Sequence, residues 1–206
     1  MNYFTNKNIL ITGGSGFIGS TLVRKLLKNS ECNILNIDKY SYSSDNISIE
    51  KLINTNKVFY QNRYKFIRCD LNDISLKKII SEFQPDIVFH LAAESHVDNS
   101  IQNPKVFIDS NIVGTFNLLD VLLSYLKNIT GEKRNLFKLI HISTDEVFGS
   151  LGEDGKFNEQ SNYSPRSPYS ASKAASDHLV NAWHHTYDFP AIITNCSNNF
   201  GPWQFP

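Results

Sequence analysis

The chain has 206 residues, room for one domain with a buried core, and its 20 basic and 20 acidic side chains give a formal net charge of +0. That balance argues against a nucleic-acid or membrane-surface partner, both of which usually leave a basic excess or a basic run. The longest apolar runs fall far short of a membrane span, and no apolar leader with a small-residue cleavage site precedes the first strand, so a cytoplasmic protein is expected.

Strand-like and helix-like segments alternate along the chain. Asn8–Thr12 (NILIT) is a short apolar run suited to a parallel strand buried on both faces, and Phe17–Lys28 reads as a helix with a basic end. Asn33–Asp38 is a second strand, Tyr40–Arg63 a polar and irregular insertion, and Tyr64–Cys69 a third strand. Ser75–Phe83 is a helix closed by Pro85, followed by a strand at Asp86–Leu91. Pro104–Lys127 is a long helix with Pro104 in its first turn. From Ile112 to Leu126 this helix is apolar on more than one face, which suggests a second subunit or a further domain against it. Lys138–Ser143 is the fifth strand, Thr144–Ser167 a loop long enough to be functional, Tyr169–Tyr187 a helix, and Ala191–Asn195 the sixth strand. Repeated βα units predict an α/β fold, a doubly wound parallel sheet with helices on both faces and its ligand beyond the carboxyl ends of the strands. The end at Pro206 falls in an aromatic loop, so the expectation is a dinucleotide-binding (Rossmann) domain spanning 1–206, cut before a substrate domain.

The glycines of Thr12-Gly13-Gly14-Ser15-Gly16-Phe17-Ile18-Gly19 sit between the first strand and the first helix. Gly13 and Gly16 allow a tight turn and close approach of backbone N–H groups to a pyrophosphate, and Gly19 lets the helix pack close to the sheet. Such a motif is weak alone, but Asp38 ends the second strand, where a carboxylate binds both ribose hydroxyls of NAD and repels the 2′-phosphate of NADP. Lys39 beside it tempers that preference. Asp70 ends the third strand, within reach of an adenine amino group, and Leu91-Ala92-Ala93 ends the fourth with small residues that leave room for a cofactor. Cys32, Cys69 and Cys196 are far apart and form no C-x-x-C, so neither a metal site nor a disulfide is expected.

Tyr169 and Lys173 form Y-x-x-x-K at the start of a helix, on one face. An ammonium near a phenol favours the phenolate, and a phenol with its free value of about 10 is otherwise a poor base at neutral pH. Ser143-Thr144-Asp145-Glu146 ends the fifth strand. Two adjacent carboxylates at a cleft mouth repel each other, which raises at least one of them. One then serves as acid and the other as base.

With these motifs the chain resembles the extended short-chain dehydrogenase/reductase family, on its nucleotide-sugar dehydratase branch. The matching stretches are TGGSGFIGS (12–20), LAAESHVDNS (91–100), NIVGTFNLL (111–119), HISTDEVFGS (141–150), SPYSASKAASDHLV (167–180) and CSNNFGPWQFP (196–206). Related epimerases lack the Asp-Glu pair, so the resemblance implies dehydration of a nucleotide-activated glucose, dTDP-glucose first, with a UDP- or CDP-glucose dehydratase, an epimerase of the same family and a non-catalytic NAD-binding fragment left open. It implies that Tyr169 and Thr144 handle the sugar 4-hydroxyl, that Glu146 removes the C5 proton, and that Asp145 protonates the departing 6-hydroxyl. It further implies bound NAD lined by Phe17, Ile18, Asp38, Lys39, Ser41, Asp70, Leu71, Leu91, Ala92, Ala93, Ser95, Ser110, Tyr169, Lys173 and Asn198. Ser95, His96, Thr144 and Asn199 would face the substrate, and a homodimer would form through the 104–127 and 169–187 helices. Phe148, Phe200 and Trp203 stand where tyrosine is usual, Asn99 where arginine is frequent, and Ser110 where threonine is. None of these removes a proposed acid or base.

Overall fold

The structure, a computed structural model, describes residues 3–152 and 154–204, so the last two residues of the 196–206 stretch lie outside it. Six parallel strands are β1 (Asn8–Thr12), β2 (Asn33–Asp38), β3 (Tyr64–Arg68), β4 (Ile87–His90), β5 (Lys138–Thr144) and β6 (Ala191–Cys196), in the order β3-β2-β1-β4-β5-β6. The order reverses direction between β1 and β4, which opens a crevice above their carboxyl ends.

Alternate residues of the central strands feed two cores. Ile9 and Ile11 face Val23, Leu26 and Leu27 of helix α1 (Phe17–Asn29), and Ile49 and Leu52 of helix α2 (Ile47–Thr55) complete that layer. Leu10, Val88 and Leu139 point the other way. They meet Leu76 and Ile80 of α3 (Leu76–Phe83), and past a short helix α4 (Val97–Gln102) they meet Leu118, Leu119 and Leu122 of the long helix α5 (Pro104–Lys127). Each such side chain, taken from water, contributes roughly 1.5–3 kcal/mol. Helix α6 (Gly131–Leu136) leads into β5, and α7 (Pro168–Tyr187) packs on the same face as α5 through Val180.

Several elements differ from the sequence expectation. The supposedly irregular 40–63 insertion contains α2, and α4 and α6 were not anticipated. Helix α5 is continuous, but Ile108–Val113 winds as a π-helix. Asp145–Phe148 forms a 3-10 turn at the start of the long loop. Among the described residues α5 is also long and apolar enough, by length and composition, to cross a membrane, with a mean hydropathy of 1.5. Counting uninterrupted apolar runs missed this, because Thr115, Asn117 and Ser124 break the runs without lowering the average much. The apolarity has an internal use, since Leu118, Leu119 and Leu122 are wholly buried.

Candidate active site

The glycine turn is built by steric necessity at some positions and not at others. Gly13 has φ of +73°, and a Cβ there would lie 2.6 Å from the Ala92 nitrogen. The small residues after β4 therefore pack directly on the turn. A Cβ on Gly19 would stand 2.1 Å from the Gly13 carbonyl oxygen, so α1 can pack this close only without one. At Gly14, which sequence reasoning left without a role, a Cβ would lie 2.3 Å from the Asn36 side-chain oxygen, so a larger residue there has to displace Asn36. Gly16 differs: an added Cβ would meet nothing nearer than the Gly13 oxygen at 3.5 Å. The fold has room for a side chain there, so internal packing does not require glycine at this position. Helix α1 begins directly after it with no side-chain cap and no acidic residue in its first turn among the described residues. Its leading N–H groups and positive dipole end thus remain available to an anion.

Above the strand ends lies a cleft of about 540 Å³, within the range of small-molecule and cofactor sites. Gly13, Gly16, Phe17, Ile18, Gly19, Asp38, Lys39, Ser41, Asp70, Leu71, Leu91, Ala92, Ala93, Ser95, His96, Ser110, Tyr169 and Lys173 all line it. Tyr42, Ser43, Ser44, Asn99, Ile142, Ser143 and Gln204 line it as well and were not anticipated. The polar run after Asp38 was the available signal for Ser43 and Ser44. Asn198 and Asn199 are exposed beyond β6 and stand outside the cleft, Asn199 donating to the Ser197 carbonyl at 3.0 Å.

Asp38 is held in place by three donors: the Ser15 N–H at 3.0 Å, the Tyr40 N–H at 2.7 Å and the Ser44 hydroxyl at 3.1 Å. A carboxylate has about four acceptor positions, so one remains for a ribose hydroxyl. Lys39 does not stand free beside it, as the sequence suggested. Its Nζ lies 2.5 Å from Glu94 Oε1 and donates to Ser110 Oγ at 3.4 Å.

The reactive groups converge at the end of β5 and the start of α7. Ser167 caps α7 reciprocally with Ser170 and Pro168 occupies the first turn, which places Tyr169 at the helix start. Burial pushes the Tyr169 phenol up to about 12, and the nearby Glu146 carboxylate adds to this, while its hydrogen bond with Thr144 opposes the shift. The sequence argument that Lys173 lowers this phenol is therefore not realised here. The Lys173 ammonium points instead to the Ile142 carbonyl, 2.8 Å away. Burial brings Lys173 down to about 8, with Asp177 resisting. Glu146 is raised, first by burial and then by its neighbour Asp145. Thr144 Oγ1 accepts from the Glu146 N–H at 3.3 Å and lies 3.4 Å from Asp145 Oδ1. Thr144, Asp145 and Glu146 thus adjoin Tyr169 at the edge of the cleft rather than lining it.

Beneath them runs a buried network absent from the sequence reading. Asp177, one turn after Lys173, accepts from Ser143 Oγ at 2.7 Å and Tyr163 Oη at 3.1 Å and pairs with His141 Nε2 at 3.1 Å. The His90 ring nitrogens are engaged by Thr12 at 2.7 Å and Thr115 at 3.0 Å.

A family profile described as GDP-mannose 4,6 dehydratase matches residues 10–206. The dTDP-glucose 4,6-dehydratase of Neisseria gonorrhoeae is 48% identical over 202 residues, which take in 97% of this chain and 57% of that enzyme. Among solved structures, the dTDP-glucose 4,6-dehydratase of Bacillus anthracis in complex with NAD is 36% identical with a TM-score of 0.79, covering 98% of this chain and 57% of that one. The DesIV double mutant of Streptomyces venezuelae, a dTDP-glucose 4,6-dehydratase with NAD and DAU bound, gives 34% and 0.82, over 96% and 58% of the two chains. The chain thus spans somewhat more than half the length of the relatives it matches. Glycine turn, strand order and Tyr-Lys pair agree with that likeness, and the chain belongs to the extended short-chain dehydrogenase/reductase family, in the branch that the GDP-mannose 4,6 dehydratase profile describes.

Proposed function

We propose that this chain is the NAD-binding part of a 4,6-dehydratase that converts dTDP-glucose to its 4-keto-6-deoxy product. The observation that carries the reading is the meeting of Thr144, Asp145, Glu146 and Tyr169 at the rim of a cleft floored by an uncapped helix N-terminus and walled by Asp38. The bare backbone at Gly16 fits a pyrophosphate, and the remaining acceptor position of Asp38 fits a ribose hydroxyl. The 48% identity to a dTDP-glucose enzyme supports the nucleotide.

Tyr169 takes the proton of the sugar 4-hydroxyl, oriented by the Thr144 hydroxyl that already bonds the phenol. A phenol at about 12 is a poor base at neutral pH, so this step needs positive charge against its oxygen. Lys173, one turn along the same helix, is the group of this chain that supplies it, once its ammonium turns from the Ile142 carbonyl toward the phenol. Bound NAD supplies a two-electron acceptor whose electrons return to the sugar within the same turnover. The new 4-keto group acidifies the C5–H bond, and Glu146, raised by burial and by Asp145, is a stronger base than an ordinary carboxylate. Asp145 delivers a proton to the departing 6-hydroxyl, and water leaves. As the electrons return at C6, Glu146 gives a proton, by then exchanged with solvent, back to C5, so that Glu146 serves C5 and Asp145 the 6-hydroxyl. Ser95 and His96, on the cleft wall, face the sugar.

In the same proposal two copies join through the 104–127 and 168–187 helices in a cytoplasmic homodimer. Val113, Phe116 and Tyr187 lie exposed there, with Trp183 packed edge-on against both Phe116 and Tyr187.

The full-length gene product carrying Glu146→Gln tests the division of labour. With dTDP-glucose it should accumulate the reduced dinucleotide, seen by its near-ultraviolet absorbance, because oxidation proceeds and elimination stalls. Loss of both the absorbance change and turnover would show that Glu146 serves the oxidation step instead.

A further inference from the structure

Asp38 is an incomplete answer to the choice between NAD and NADP, because Lys39 follows it on the same cleft wall. An ammonium at the end of the second strand is a natural counter-ion for a 2′-phosphate. Its charge is met by Glu94, at 2.5 Å, on the segment after β4. Glu94 is no casual surface partner. Its side chain is only 13% exposed, against 32% for Lys39. Its backbone is clamped on both sides by one residue: the Glu94 N–H donates to Asn111 Oδ1 at 2.8 Å, and Asn111 Nδ2 donates to the Glu94 carbonyl at 2.9 Å. Asn111 is buried in the π-helical stretch of α5, and its Nδ2 also reaches Ser172 Oγ, at 2.8 Å, on the helix that carries Tyr169 and Lys173. Ser110, the preceding residue, takes a hydrogen bond from the same ammonium. A π-turn in a helix commonly marks a functional position, and here it sets Ser110 toward the cleft and Asn111 toward Glu94.

We propose that Glu94 is a specificity-determining residue of the cofactor cleft, which neutralises Lys39 and so keeps the wall beyond Asp38 from accepting a 2′-phosphate. The inference rests on the reading that the cleft takes NAD. The value of the ion pair is not stability, since a pair still partly open to solvent contributes little. Its value is the field: with Glu94 removed, Asp38 and Lys39 cancel, and a dianionic phosphate meets a wall one charge more positive.

The test is direct binding of NAD and NADP to the chain, by calorimetry at low ionic strength. Glu94→Gln should strengthen NADP binding by about tenfold, an effect of the size expected for one unit charge a few ångströms from a phosphate at a partly screened surface. Lys39→Gln added to Glu94→Gln should return NADP affinity to the level of the parent chain. A folded Glu94→Gln variant that binds NAD but shows no gain for NADP overturns the proposal, as does a gain that survives in the double variant. If Glu94→Gln does not fold, Glu94→Met, which keeps the length of the side chain without its charge, is read by the same criteria. A parent chain that binds neither dinucleotide sinks the underlying reading of the cleft, a result distinct from any of these.

Discussion

His90 and His141 lie with ring centroids 5.1 Å apart in the interior, and both are held neutral. Burial keeps His90 well below its ordinary value, and any proton on His141 or Lys173 beside it lowers it further. Burial also brings His141 down to about 4, with Lys173 adding to it and Asp177 opposing. An unfolded histidine titrates near 6.5, so below that pH the unfolded chain binds protons that the folded one refuses. Stability from these residues is therefore complete above pH 6.5 and lost as pH falls toward 4, His141 alone accounting for about 3 kcal/mol. Thermal unfolding followed from pH 7 to 5 should show a falling midpoint, and a flat profile would contradict the buried neutral pair. Asp177 is the second test at this scale. Asp177→Ala leaves His141, Ser143 and Tyr163 without their acceptor and the Lys173 ammonium without its neighbouring carboxylate. Urea unfolding should show a loss of about 3–5 kcal/mol. Asp38, Tyr169 and Lys173 were readable in the sequence because each sits at a fixed offset from a strand end or helix start. Asp177, Asn111 and the Glu94–Lys39 pair were not. Their meaning comes from partners up to 61 positions away that only the packed sheet brings together.

The glycine turn separates fold from function within one element. Gly19→Ala forces a Cβ against the Gly13 carbonyl and should cost about 3 kcal/mol in unfolding experiments. Gly16→Ala meets no such wall, so it should keep most of the parent stability while dinucleotide affinity falls at least about tenfold through loss of close backbone approach. Equal effects of both on stability would contradict the separation. The elements missed from sequence share a cause. In α2 (ISIEKLINT) four β-branched residues weaken the helix signal, and its buried positions are Ser48, Ile49 and Leu52. The π-helical stretch adds one residue to a turn inside a continuous helix, a change no 3.6-residue pattern reveals. The strands, by contrast, were short apolar runs bounded by polar residues and fell within one or two residues of expectation.

At the scale of the molecule, strand order and layer arrangement follow from alternating βα units, which leave few topologies open. The apolar surplus on the long helix was also visible in sequence. Of it, Leu118, Leu119 and Leu122 go to the core, while Val113 and Phe116 remain 40% and 43% exposed. Sedimentation should find a dimer, and Phe116→Glu should shift it to monomer by placing a charge in the apolar contact. A parent chain that sediments as a monomer would contradict the proposed pairing. In the proposed reaction a cleft that holds NAD presents a sugar to a carboxylate pair that removes water. The most direct measurement incubates the full-length gene product with dTDP-glucose in heavy water and follows the product by mass spectrometry. The account predicts a 4-keto-6-deoxy product that has lost water and carries one solvent deuterium at C5. Unchanged substrate, or a hexose with its 6-hydroxyl intact, would contradict it.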